Sequence, residues 1–199
     1  MSTPRVILWD VMGTLVTEPF KEAMPRFLGM SFEEMLARKD RDSWIEFEHG
    51  RIDEDEYIRR FFADQTPVDK EGLKRVMREA YALLPGIEPI LDRLSEQGLS
   101  MHALSNYSDW YEMIEEATGL SRYLSWDFVS CRTGLRKPDP EAYLGAARRL
   151  DVPPGECVFV DDRSVNVEAA RAVGMSSILR NEDVQALVAD LRALGLDSG

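Results

Sequence analysis

The chain has few cysteines, no long hydrophobic run and no excess of positive charge. Its two cysteines, Cys131 and Cys157, cannot build the disulfide framework of a small secreted domain. Cys157 heads an apolar run and reads as a small buried hydrophobe. A reducing cytoplasm is therefore the expected compartment. No apolar stretch approaches the ~20 residues that a bilayer span needs. The opening Met1-Ser2-Thr3-Pro4-Arg5 lacks the basic-then-apolar pattern of a secretory leader, so secretion is not expected. Twenty-four Lys and Arg face 36 Asp and Glu, a net charge of −12. That balance opposes nucleic acid and anionic membrane as partners. It does not oppose a small anionic substrate, which a few local donors can hold. There are no repeats and no low-complexity segments.

What is present is an ordinary globular composition, 44% hydrophobic and 30% charged, in 199 residues. That length suits one domain, or one domain with a smaller insert. Apolar runs at 5–10, 100–105, 126–130, 156–160 and 175–179 predict five strands. Four are continuous rather than alternating, as in strands covered on both faces. A helical pattern precedes each of the last four, at 85–97, 108–118, 139–150 and 163–173. Three of them stop at Gly98, Gly119 and Gly174. Such alternation predicts an α/β fold with a parallel sheet. Residues 18–84 show no strand pattern. Helical pieces are expected near 21–28, 32–38, 42–49, 53–63 and 68–83. Ser31 with Glu34, and Asp53 with Glu56, have capping-box spacing. A segment this long is no plain loop; it is expected to be a helical insert after the first strand. The expected division is a core of residues 1–17 and 85–199 and an insert of residues 18–84. The tail from Leu196 to Gly199 is expected to fray.

Four polar clusters follow four of the predicted strands. Asp10 ends the first, with Gly13 and Thr14 shaping a turn. Ser105 and Asn106 follow the second, where a hydroxyl and an amide suit an oxyanion. Lys137 precedes Pro138-Asp139 and supplies a positive charge just before a helix. Asp161 and Asp162 follow the fourth apolar run. In an open α/β sheet these positions share one edge, where ligands bind. Each cluster alone is ordinary: a turn aspartate, loop polarity, a surface lysine, a helix cap. Their order and placement together point to a site. Adjacent carboxylates need neutralisation, and Asp10, Asp161 and Asp162 form a hard oxygen set suited to Mg²⁺.

The order Asp10-Val11-Met12-Gly13-Thr14-Leu15, Ser105-Asn106, Lys137-Pro138-Asp139, Val160-Asp161-Asp162-Arg163, with Asn166 beyond, closely resembles the haloacid dehalogenase superfamily of hydrolases. The resemblance spans essentially the whole chain. It implies a Rossmann-like parallel sheet core with a helical cap of the first type, inserted after the first strand. It further implies that Asp10 is a nucleophile forming an aspartyl phosphate. Ser105, Asn106 and Thr14 would contact the phosphoryl group, and Lys137 would offset its charge. Asp10, Asp162, Asp161 in or beside the first shell, and the backbone carbonyl of Met12 would hold Mg²⁺. The substrate implied is a small molecule, a phosphate ester. Positioning and charge neutralisation are what phosphoryl transfer chiefly needs.

Met12 departs from the pattern. Family phosphatases usually place an acidic residue there as general acid and then base, a role worth ~10²–10⁴ in rate. Two alternatives follow. One is a hydrolase of non-phosphate substrates such as 2-haloacids, which the acidic pair 161–162 weakens because that branch lacks it. The other is a catalytically silent binding domain. Lys21 and Lys39 are placed where phosphonate cleavage would need a Schiff-base lysine. His49 fits a helix C-terminal histidine, with a proton donor facing the site as the alternative. His102, Trp9 and Trp126 lie in strand runs and read as structural. Trp44, Phe47, Tyr57, Phe61 and Phe62 have helical spacing and read as insert core rather than substrate pocket. Trp110 and Tyr111 are candidates to border the entrance. Arg163 either reaches a substrate anion or pairs at the surface. Asp53-Glu54-Asp55-Glu56 reads as a favourable first helical turn.

Overall fold

The computed structural model describes residues 4–196. Strands β1 (Val6–Trp9), β2 (Ser100–Ser105), β3 (Ser125–Val129), β4 (Cys157–Asp161) and β5 (Ser176–Leu179) form one parallel sheet. Its order is β3-β2-β1-β4-β5. The first strand in sequence is therefore the middle one in space. Trp9 pairs with Ala103 on one side and Val160 on the other. This register carries Asp10, Ser105 and Asp161 to one edge of the sheet.

Every residue of β1 and β4 is buried, which accounts for their unbroken apolar runs. Successive side chains alternate between faces. Ile7, Trp9, Val158 and Val160 enter one core, with α6 (Ile87–Glu96), α7 (Tyr111–Thr118) and α11 (Val184–Ala193). Val6, Leu8, Cys157 and Phe159 enter another, with α9 (Pro140–Arg149) and α10 (Ser164–Ala172). Helices thus cover both faces. The predicted third strand stops one residue early because Ser130 opens a short helix, α8 (Ser130–Thr133). Helix α7 starts at Tyr111 rather than 108, because Ser108 to Trp110 make a turn closed by Tyr111 N–H to Ser108 O. Neither α8 nor α11 was expected. Helix α11 was legible, with Val184, Leu187, Val188 and Leu191 at helical spacing. Leu196, expected to fray, is buried against this core. The rest of that tail and the first three residues of the expected leaderless start lie outside the described residues.

Between β1 and α6 lie five helices and, among the described residues, no strand. They are α1 (Ala23–Leu28), α2 (Phe32–Arg38), α3 (Ser43–Glu48), α4 (Glu54–Arg59) and α5 (Lys70–Ala80). Ser31 makes the full capping box with Glu34. Asp53 accepts only from the Glu56 N–H, because the Glu56 carboxylate turns to Arg59 instead. The two chains joining this segment to the sheet run side by side. Thr17 N–H bonds Ala82 O, and Leu84 N–H bonds Leu15 O. Phe47, Tyr57, Phe61 and Phe62 are buried as expected of an insert core. Phe47 stacks on Tyr57 at 4.7 Å, and Trp110 meets both edge-on at 5.8 and 5.6 Å.

Lys39 is buried inside this aromatic cluster. Its Nζ donates to Tyr57 Oη at 3.0 Å and lies 4.1 Å from the Phe61 ring centre. Burial pulls the amine down to about 7. The unfolded chain therefore binds the extra proton between pH 7 and the ordinary 10.5. This group's contribution to stability rises with pH across that window. Lys39→Met is expected to raise Tm by ~2–4 °C at pH 6, with the advantage shrinking toward pH 10. Scanning calorimetry at both pH values checks it; a lower Tm at pH 6 would show that the ring contacts outweigh burial.

Candidate active site

Asp10 leaves β1 with its N–H still on Val160 O. The chain then folds tightly back: Leu15 and Val16 N–H both reach Val11 O, and Gly13 N–H reaches Val16 O. Gly13 sits at φ +76°, and a Cβ there would lie 2.6 Å from Asp162 Oδ2. Glycine is what lets this turn approach the Asp162 carboxylate.

Lys137, in the loop between α8 and α9, reaches the same spot. Its Nζ is 2.7 Å from Asp10 Oδ1 and 2.7 Å from Asp161 Oδ2, with the side chain 2% exposed. Burial would lower this ammonium, but Asp10 and Asp161 carry it above the ordinary lysine value. The supports are specific. Asn106 accepts from Lys137 N–H at 2.8 Å and donates to Lys137 O at 2.8 Å. Asp161 also accepts from Arg163 N–H and from Asn166 Nδ2. Tyr143 in turn donates to Asn166 O. Thr14 donates to Asp10 Oδ2 at 3.2 Å. Burial raises Asp10 to about 7; Lys137 opposes this, and Asp161 and Asp162 add to it.

One oxygen from each of Asp10, Asp161 and Asp162 falls within 4.8 Å of the others. Three carboxylates thus face one ammonium, a charge deficit that a divalent cation would remove. Asp161 spends its oxygens on protein donors, so Asp10 and Asp162 are the freer oxygen donors. The donor set fits Mg²⁺.

Above the cluster opens a cavity of ≈ 450 Å³. Asp10, Asn106, Lys137, Asp162 and Asn166 form its polar floor. Met12, Phe20, Met24, Trp44 and Met77 give it apolar walls. Glu18, Lys21, Glu48, Arg136 and Arg163 add charge, and Tyr107 adds a phenol.

Residues 4–174 match the family model of the haloacid dehalogenase-like hydrolases. The chain belongs to this family. It is 44% identical over 192 residues to flavin mononucleotide hydrolase 1 of Arabidopsis thaliana, a protein named as chloroplastic, covering 96% of this chain and 78% of that one. It is 27% identical over 194 residues to the phosphoglycolate phosphatase of Pseudomonas savastanoi pv. phaseolicola, covering 88% and 68%. The fold is shared with a family enzyme of Bacteroides thetaiotaomicron solved with magnesium and inorganic phosphate. That match has a TM-score of 0.75 at 18% identity, over 92% of this chain and 98% of that one. The chain is therefore a hydrolase.

For a haloacid dehalogenase-like hydrolase, most expected residues converge, but not all face the cavity. Ser105 is buried at the end of β2, and Thr14 is fully buried beneath Asp10; neither lines the cavity. Asn106 has given its carbonyl and one N–H to Lys137. Trp110, a candidate for the entrance, is packed under the aromatic cluster, and Tyr111 borders a separate groove. Tyr107 takes the place expected of them. His49 ends α3 with Nδ1 2.7 Å from Ile45 O, and His102 is tied to Ser100 and Asp127. Trp44 packs edge-on against Phe47 and Tyr57, as expected of the insert core, and also lines the cavity. Glu48, Arg136 and Tyr107 were missed, since nothing in spacing shows which loop or insert side chains point inward.

The cluster predicts an unequal cost of mutation. Removing the cation leaves three carboxylates uncompensated. Lys137→Met is expected to lose ~3–5 kcal/mol in urea denaturation without added metal, and to recover part of it with Mg²⁺. No loss would mean that the carboxylates are neutralised by other means.

Proposed function

We propose that this hydrolase is a Mg²⁺-dependent phosphatase that cleaves a phosphomonoester through an aspartyl phosphate on Asp10. We further propose that the ester carries a flat ring system, as flavin mononucleotide does. The observation that carries the first part is the Lys137 ammonium bonded to both Asp10 and Asp161 at the base of a cavity. The second part rests on the cavity's size, its methionine and aromatic walls, and the 44% identical relative named for that substrate.

In this reading the Asp10 carboxylate attacks phosphorus, and Lys137 offsets the charge that builds on the phosphoryl oxygens. Asn106 holds the Lys137 backbone in place. Ser105 and Thr14 shape the phosphoryl pocket from beneath. Asp10, Asp162 and the Met12 carbonyl would hold Mg²⁺, with Asp161 behind them. That ion supplies Lewis-acid neutralisation of phosphoryl charge when bound. We also propose that residues 18–84 act as a cap over a core of 1–17 and 85–199. The paired connections at Thr17–Ala82 and Leu15–Leu84 support this, since they place both crossings at one point. The free thiols Cys131 and Cys157 fit a reducing compartment such as the cytoplasm.

Phosphate release from flavin mononucleotide and from p-nitrophenyl phosphate is expected to require Mg²⁺, to stop with EDTA and to fall at least ~10³-fold in Asp10→Asn. Halide release from a 2-haloacid without metal would replace the phosphatase reading. Phosphate binding without turnover of any ester would leave a silent binding domain. Asn106→Ala is expected to lower kcat ~10–100-fold with KM little changed, since it loosens Lys137 rather than substrate. A large rise in KM alone would make Asn106 a direct phosphate contact.

A further inference from the structure

A flavin-type phosphate has an alkoxide leaving group, which departs slowly unless it is protonated. Met12 has no proton to give. Some other group facing the cavity must supply it, given the phosphatase reading on which this inference rests.

Outside the Asp10–Lys137 cluster, few groups on the cavity wall can do so. The Lys21 ammonium is bound to Glu18 at 2.6 Å and held above its ordinary value, chiefly by that bond. The Tyr107 phenol shares a hydrogen bond with Tyr81 Oη at 2.6 Å, and burial pushes it well above its ordinary value. Glu18 is a third exposed and pairs with Lys21 through Oε2. Glu48 differs from all three. It stands at the end of α3, and its side chain is 6% exposed. Trp44 Nε1 donates to Oε1 at 2.5 Å and Arg136 Nε to Oε2 at 2.7 Å, so each oxygen keeps one free lone pair. Its backbone carbonyl is pinned by Ser130 Oγ at 2.6 Å. Arg136 directly precedes Lys137, so one backbone step separates the partner of Glu48 from the partner of Asp10. Burial raises the Glu48 carboxyl, against the lowering by Arg136, Trp44 and His49; Lys39, Tyr57 and Tyr107 also face it.

We propose that Glu48 is the proton carrier that residue 12 is not. As the acid, it gives its proton to the ester oxygen while that oxygen's bond to phosphorus breaks and an Asp10 oxygen bonds to phosphorus. As the carboxylate, it takes a proton from the water whose oxygen then attacks phosphorus and frees Asp10. The starting state is restored.

The test is the dependence of kcat/KM on leaving-group basicity, with Mg²⁺ present. Glu48→Gln is expected to lose ~100-fold or more on flavin mononucleotide and other alkyl phosphates, but under ~5-fold on p-nitrophenyl phosphate, whose leaving group needs no proton. Adding Met12→Asp to Glu48→Gln is expected to restore at least ~10-fold on the alkyl esters. An equal loss on both ester classes without rescue by Met12→Asp would make Glu48 a latch for Arg136 and overturn the inference. A selective loss in Glu18→Gln instead of Glu48→Gln would overturn it as well. If the wild-type enzyme releases phosphate from neither ester, the phosphatase reading itself fails; wild-type turnover with no selective loss defeats this inference alone.

Discussion

The Lys137 ammonium, buried between Asp10 and Asp161, is the contact on which the site is organised. A buried cation with two buried carboxylates is costly to assemble and far more costly to leave incomplete. Its geometry is therefore over-determined. Asn106 clasps the Lys137 backbone, Asn166 and the Arg163 N–H hold Asp161, and Tyr143 holds Asn166. Thr14 steadies Asp10 from below. The central place of β1 serves the same end, since pairing with both β2 and β4 delivers Asp10 beside Asp161 at the shared sheet edge.

That arrangement leaves a net negative charge and one more exposed carboxylate, Asp162, lying where only a glycine turn can approach it. Stability and function pull in opposite directions here. Burial, with added crowding by Asp161 and Asp162, raises Asp10, and that crowding leaves a charge deficit that a divalent cation would remove. The insert contributes on the opposite side. Its aromatic packing is continuous with one sheet core through Trp110, while Trp44, Met24 and Met77 turn outward to the cavity. Met12 belongs to this wall. Its side chain serves shape rather than proton transfer.

The parallel sheet and the insert were legible because each leaves a local pattern: continuous apolar runs for doubly covered strands, helical spacing and caps for the insert. The four polar clusters were legible because a strand end is a defined place in such a fold. Less visible was what each cluster does. Asn106 beside Ser105 looks like a phosphate ligand, yet its amide is turned onto the Lys137 backbone. Asp161 and Asp162 look equivalent in sequence, yet one is saturated with protein donors and the other is open. Helix α11 was readable from its periodicity and was overlooked. Helix α8, at four residues, carries too little pattern to be read.

The sequence by itself determined the fold class, the sheet edge where chemistry gathers, and the loss of an acidic side chain at residue 12. Each depends on local composition and spacing. Only the tertiary structure decided which side chains face the cavity, how Asp161 differs from Asp162, and that Glu48 meets Arg136, the chain neighbour of Lys137, across 88 positions of chain. Such contacts follow from how the insert seats on the sheet, and packing between distant segments leaves no periodic trace in either one.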